Sequence, residues 1–297
     1  MRKLAVIGVI LILLGLNEAC CQEPRPEASI ATDSVAIVDA HWQTDTLEGF
    51  YLKRHHFRHH QIFGANQYIC ILEIPAKSHC RLAFATDTVL TSTSSLAGKH
   101  NALAAVNGSY FDMDKGNPIC YLRIDSVEFG ENTPGKTDSV NRKYYQYGTL
   151  ALKDGVPRIL HTDSNRFWER QLSCRNIMTA GPLLIYRQEI QPLRDDRTFV
   201  TRRHNRTAIG LRPDGTILLL TIDGRFKNES EGVTLPELTK LLKWLGCSDA
   251  LNLDGGGSTT MYVQGFSHDG VVNHPSDDNR YNHDGQRPVS NIVMIRK

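Results

Sequence analysis

The stretch Ala208-Ile209-Gly210-Leu211-Arg212-Pro213-Asp214-Gly215-Thr216-Ile217-Leu218-Leu219-Leu220-Thr221-Ile222 decides the fold class. Two apolar runs flank Pro213-Asp214-Gly215, and Asp-Gly accepts the positive φ angles that a tight turn between antiparallel strands demands. The signal recurs at Asp154-Gly155, between residues 148–152 and 156–160. Residues 68–74 stop at Pro75, and a polar turn precedes 80–84, which predicts another hairpin. Helical signals are few. Ser94 and Ser95 can cap a short helix running toward Ala102. Thr234 and Glu237 form a capping box, Leu238, Leu241, Leu242 and Leu245 recur with helical spacing, and Gly246 stands where a left-handed C-cap belongs. The chain shows no repeat of fixed period and too few helices for regular βαβ alternation. The expected fold is α+β: a mixed, largely antiparallel β-sheet core covered by a few helices, in a single domain.

The 297 residues are 40% hydrophobic and 22% charged, enough apolar material for a full core. The 34 Lys and Arg against 32 Asp and Glu leave a net charge of +2, which speaks against nucleic acid as a partner. Arg2 and Lys3 precede an apolar run over residues 4–16, so residues 1–20 read as a secretory signal, too short to span a bilayer. Ala19 before Cys20 and Cys21 fits a lipoprotein signal, whereas Asn17 and Glu18 fit it poorly. The expected location is the periplasm or outer-membrane surface if the chain is lipidated, and the exterior if it is cleaved near Ala19.

Residues 21–60, with Pro24 and Pro26, read as a tether as far as about Thr46 and then a first ordered segment, followed by a domain over residues 61–297. Lys53-Arg54-His55-His56-Phe57-Arg58-His59-His60 has His pairs four apart that could hold a metal on one helical face. With no carboxylate or Cys inside it, the cluster reads rather as a solvated basic patch. Cys70, Cys80, Cys120, Cys174 and Cys247 are odd in number and irregularly spaced, so they are expected as small buried side chains.

Chemistry concentrates in three segments. In Asn252-Leu253-Asp254-Gly255-Gly256-Gly257-Ser258, an apolar strand ends in a carboxylate followed by glycines. Such a loop lets a ligand approach the backbone closely and can form an anion-binding nest. In Asp223-Gly224-Arg225 another long strand ends in a carboxylate. Paired carboxylates suit glycosidic cleavage, one attacking or activating water and the other managing the proton on the leaving oxygen. Arg202, Arg203 and Arg206 could clamp a phosphate, since a guanidinium fork matches its oxygens. In Asn107-Gly108-Ser109-Tyr110-Phe111-Asp112, Asn107 can bond a sugar hydroxyl or phosphate, and Tyr110 can pack on a sugar face. Gly181-Pro182 reads as a sharp bend.

These segments, together with Ala180-Gly181-Pro182-Leu183, Arg206-Thr207-Ala208-Ile209-Gly210 and the closing Arg287, Val289 and Asn291, resemble the phosphodiester glycosidase family over residues 61–297. The resemblance implies hydrolysis of a sugar-1-phosphodiester to free sugar and a phosphomonoester. Carried over by position, Asp254 and Asp223 become the catalytic carboxylates. Asn107, Arg206, Arg225, Tyr110, Gly255, Gly256, Gly257 and Ser258 become substrate-binding residues. No metal ligand and no required cofactor are implied, although Asp254, Asp223 and Asn252 offer hard oxygen ligands for Ca²⁺ or Mg²⁺. The chain lacks the Cys-rich extensions of the family's animal members, which leaves the sugar and the physiological substrate open. Alternatives are a glycan-binding surface lipoprotein without turnover and a metal-dependent phosphodiesterase cutting the P–O bond. Oligomeric state is not legible.

Overall fold

The hairpin around Asp214-Gly215 forms between Arg206–Leu211 and Ile217–Ile222, with Arg206 opposite Ile222 and Leu211 opposite Ile217. The structure, a computed structural model, describes residues 27–133, 143–162, 167–193 and 198–297. The signal-like segment, Cys20 and Cys21, Pro24 and Pro26 lie outside the described residues.

The hairpin lies inside an eight-stranded sheet. Its strand order is Gln43–Leu47, Phe50–Ile62, Ala65–Ile74, Ile217–Ile222, Arg206–Leu211, Asp249–Asn252, Leu183–Tyr186, Glu189–Ile190. A five-stranded sheet runs Val127–Gly130, Leu122–Ile124, Asn176–Ala180, Gly148–Lys153, Val156–His161, and a four-stranded sheet runs Met261–Val263, Ala104–Asn107, Val289–Arg296, Arg81–Thr91. Neighbouring strands pair antiparallel, and the fold is the expected α+β arrangement with few helices.

Why Ile217–Ile222 is apolar at successive positions follows from its two covered faces. Leu219 packs with Leu72, Ile209 and Leu251 in a core shared with Leu150 and Met178 of the five-stranded sheet and Val106 and Val293 of the four-stranded one. Its neighbours Leu218 and Leu220 pack on the other face against Leu238, Leu241 and Leu242 of the helix Leu235–Trp244. Each such buried leucine contributes about 1.5–3 kcal/mol relative to exposure. The helix starts as its sequence predicts, with Thr234 Oγ1 accepting from the Glu237 amide at 3.2 Å and Glu237 accepting from the Thr234 amide at 2.9 Å. Gly246 has φ +85°. The five cysteines of the described chain are free, and Cys70, Cys80, Cys120 and Cys247 are buried.

Three expectations need correction. Residues 68–74 and 80–84 do not form a hairpin: Ala65–Ile74 pairs with Phe50–Ile62 and Ile217–Ile222, while Arg81–Thr91 pairs with Val289–Arg296 in another sheet. The turn at Pro75 passes the chain between layers instead of folding it back. The segment read as a tether holds the helix Glu27–Val38 and the strand Gln43–Leu47, and Phe50–Ile62 runs across the boundary placed at residue 61. Ile37 is 1% exposed, and that packing outweighs the polar composition around it. The His cluster, expected as a solvated basic patch, lies on the strand Phe50–Ile62, where side chains alternate between faces and no helical face brings its His pairs together. The first short helix is Thr93–Lys99, capped by Ser92 rather than by Ser94 or Ser95.

Candidate active site

The sheets deliver their polar residues at strand ends. Asp249–Asn252 leads through Leu253 to Asp254, and a short 3₁₀ turn at Gly256–Ser258 follows. The Gly256 amide donates to the Asn205 carbonyl at 2.9 Å, and the Asp254 amide donates to the Gly108 carbonyl at 3.0 Å. The glycines have a steric reason. A methyl on Gly256, where φ is +61°, would lie 2.7 Å from Arg225 Nη2, and one on Gly257 would lie 2.4 Å from both Arg287 Nη2 and Asp277 Oδ1. Two guanidinium groups therefore rest against the turn.

Arg225 keeps an exposed edge and forms no hydrogen bond or ion pair among the described residues. Partial burial and then the like charge of Arg287 lower its pKa, with Asp277 acting in the opposite sense. Arg287 Nε donates to Asp277 Oδ1 at 2.9 Å. Half-buried Asp254 has its pKa raised to about 6 by burial, which outweighs the lowering effects of the Ser258 hydroxyl, the Gly255 amide and Arg287. At neutral pH it is a carboxylate that protonates on mild acidification. Nearby His204 is held down at about 4 by burial and by the charges of Arg206, Arg225 and Arg202, so it stays neutral.

Asp223, at the end of Ile217–Ile222, is fully buried. Its Oδ1 accepts from Asn273 Nδ2 at 2.8 Å, and its Oδ2 accepts from the His274 amide at 2.8 Å and from His274 Nδ1 at 2.9 Å. Both oxygens are spent on N–H donors, so the carboxylate acts on its neighbours rather than on a ligand. The segment 273–287 fastens this group to the turn. Asn273 Nδ2 also donates to the Thr259 carbonyl at 3.2 Å. Ser276 bonds the Asn205 amide, which in its satisfied orientation also accepts from the Gly224 amide at 2.9 Å.

Three residues assigned to substrate from sequence serve the scaffold instead. Asn107 is fully buried. Its Nδ2 donates to the Asp254 carbonyl at 2.7 Å, while its Oδ1 accepts from Thr207 Oγ1 at 2.7 Å and the Thr260 amide at 3.2 Å. Arg206, 2% exposed, donates Nε to the Val233 carbonyl at 3.0 Å and Nη2 to the carbonyls of Phe199 and Arg202 at 2.8 and 3.0 Å. Its charge ties down the segment before it, which a phosphate clamp could not do at the same time. Tyr110 Oη donates to the Gly181 carbonyl at 2.7 Å and accepts from Asn252 Nδ2 at 2.8 Å. Asn252 is thereby locked inside, and Asp223 is surrounded by donors that a cation would have to replace. Among the described residues no three of His, Cys, Asp and Glu group as metal ligands. A cavity of about 350 Å³ between Ser94, Tyr262, Phe266 and Asp269 is lined by none of Asp254, Asp223, Arg225 and Arg287.

The sequence reading did not single out His274, Asp277 and Asn205, and it used Arg287 only as part of a closing strand. A signal was present: Asn273-His274-Pro275-Ser276-Asp277 is a dense polar run inside a long stretch without strand or helix periodicity.

The fold and site define a β-rich scaffold that gathers acidic and cationic groups on loops at its strand ends. Comparison with known proteins agrees on the fold. The phosphodiester glycosidase family profile matches residues 100–296, and the chain belongs to that family. It is 33% identical over 205 residues to human N-acetylglucosamine-1-phosphodiester alpha-N-acetylglucosaminidase, covering 65% of this chain and 37% of that protein. It is 44% identical over 63 residues to the SPbeta prophage-derived uncharacterized protein YomE of Bacillus subtilis (strain 168), covering 21% of this chain and 10% of that protein. The chain thus spans little more than a third of the curated relatives it matches, and less for some. The zebrafish N-acetylglucosamine-1-phosphodiester alpha-N-acetylglucosaminidase catalytic domain superposes with a TM-score of 0.62 at 18% identity, covering 93% of this chain and 94% of that one. A hypothetical protein from Synechocystis superposes with a TM-score of 0.62 at 16% identity, covering 86% and 64%. At these identities the likeness concerns the fold.

Proposed function

We propose that the protein hydrolyses a sugar-1-phosphodiester, releasing the sugar and leaving a phosphomonoester on the other partner. The observation that carries this reading is the seating of the Arg225 and Arg287 guanidinia on the glycine turn directly after half-buried Asp254. A phosphodiester group suits that pair, because its oxygens match guanidinium N–H groups. The departing phosphate is a weak base, so fixed cations stabilise its charge better than a proton donor does. Asp254, ionised above about pH 6, supplies the carboxylate for the positive charge that builds at the anomeric carbon.

The human relative is named for N-acetylglucosamine-1-phosphodiester, which makes N-acetylglucosamine the first sugar to test. The experiment incubates the protein with a panel of sugar-1-phosphodiesters and assays free reducing sugar. Release from at least one is expected, and release from none overturns the reading. Tight glycan binding with no product would select the glycan-binding alternative. Reaction in ¹⁸O-labelled water should place label in the sugar; label in the phosphate means P–O cleavage and a different enzyme. Residues 1–20 support export, and labelling with a radioactive fatty acid separates lipidation at Cys20 or Cys21 from cleavage near Ala19.

A further inference from the structure

We infer that His274 Nε2 is the proton acceptor for the attacking water, with Asp223 holding the imidazole in the tautomer that this requires. The inference rests on the hydrolytic reading above.

Burying a carboxylate is costly unless its oxygens are matched by donors. The chain buries Asp223 completely and gives it two donors from one residue, the backbone amide and Nδ1 of His274. A carboxylate flanked by N–H groups accepts, so the ring proton sits on Nδ1 and neutral His274 keeps its lone pair on Nε2. Nε2 makes no hydrogen bond among the described residues and is not sealed from solvent, the side chain being 14% exposed.

The ring is held as firmly as its proton. Tyr281 stacks on it at 3.9 Å with 16° between planes, His283 stacks at 4.5 Å and 29°, and Tyr68 meets it edge-on at 4.8 Å. Its neighbours fasten it to the turn from both sides. Asn273 bonds the Thr259 carbonyl just past the glycines, and Ser276 bonds Asn205, whose own carbonyl receives the Gly256 amide. Asp223, expected from the sequence as one of two catalytic carboxylates, thus acts through the imidazole that it orients.

In the step itself, the water oxygen bonds to the anomeric carbon as the bond from that carbon to the phosphate oxygen breaks, its electron pair leaving with the phosphate. One water proton passes to Nε2, giving an imidazolium paired with Asp223, and is then lost to solvent. The titratable groups that face the ring are Asp223, Tyr68, Tyr281, His283 and His56, with Cys70, Glu229 and His268 behind them.

The test compares the wild type with His274→Gln and Asp223→Asn on an N-acetylglucosamine-1-phosphoryl sugar. For His274→Gln, kcat should fall about 10²- to 10⁴-fold with KM within about threefold, and one ionisation should vanish from the acid side of the pH profile. Asp223→Asn should reproduce the loss, since its amide can present an N–H that favours the wrong tautomer. Wild-type kcat in His274→Gln, or a loss that tracks a lowered melting temperature with an unchanged pH profile, overturns the inference while leaving the hydrolytic reading intact. Nitrogen-15 NMR of the wild type gives a readout without turnover: a protonated Nδ1 and bare Nε2 at neutral pH are expected, and the opposite tautomer refutes the inference. A wild type that releases no sugar from any phosphodiester removes both readings.

Discussion

The side-chain amide of Asn107 donates to the main-chain carbonyl of Asp254 at 2.7 Å, joining two strand ends 147 residues apart. With the Gly108 carbonyl receiving the Asp254 amide at 3.0 Å, this fixes the peptide groups on both sides of the Asp254 side chain. Asn107→Ala leaves buried partners at Asp254, Thr207 and Thr260 unmatched. It should cost about 2–4 kcal/mol of stability, read from urea unfolding, and lower kcat in the molecules that remain folded.

Asp254 has a folded pKa near 6, above the ordinary carboxylate value. The sign follows: its protonated form suits the site, so the contribution is favourable below about pH 4 and is lost as pH rises through about 6. Asp254→Asn removes that loss. It should raise the melting temperature at pH 8, leave it unchanged at pH 4, and abolish turnover at every pH. A variant that melts lower at pH 8 would show that the carboxylate is not held against burial.

The two arginines expected among the substrate-binding residues, Arg206 and Arg225, should separate cleanly. Arg206→Lys loses carbonyl contacts at Val233, Phe199 and Arg202 and should destabilise the fold by about 2–4 kcal/mol, with KM little changed. Arg225→Lys should leave the melting temperature unchanged and raise KM for a phosphodiester about tenfold, because Lys cannot offer the bidentate fork. Thermal melts and steady-state kinetics on both variants check the pair.

The glycines divide in the same way. A methyl at Gly257 meets the ends of the Arg287 and Asp277 side chains, which can swing aside, so Gly257→Ala should fold and bind substrate more weakly. One at Gly255 meets the Asn205 carbonyl at 2.7 Å, which cannot yield without moving the turn. Gly255→Ala should therefore cost about 1–3 kcal/mol of stability, measurable by chemical denaturation.

What could be read in the sequence was local. Asp154-Gly155, Pro213-Asp214-Gly215 and the Thr234–Glu237 box each carry their geometry within a few residues, and each forms as expected. The hairpin expected across Pro75 failed because both apolar runs are real strands whose partners are chosen by packing far along the chain. The site divides similarly. Asp254 and the glycines announce themselves, whereas whether an arginine or asparagine faces a ligand or a carbonyl depends on contacts that no spacing encodes. Arg206 is turned onto main-chain carbonyls, whereas Arg225 keeps an exposed edge. His274 was overlooked because its significance comes from Asp223, a residue on another element.

The strand Val289–Arg296 lies inside the four-stranded sheet, between Ala104–Asn107 and Arg81–Thr91. During synthesis those two flanking strands emerge long before the one that separates them. Until residue 296 is made they lack their shared neighbour, and Asn107 sits on a strand bare along one edge. The turn after Asp254, which leans on Asn107, thus rests on an unfinished sheet until residue 296 has been made.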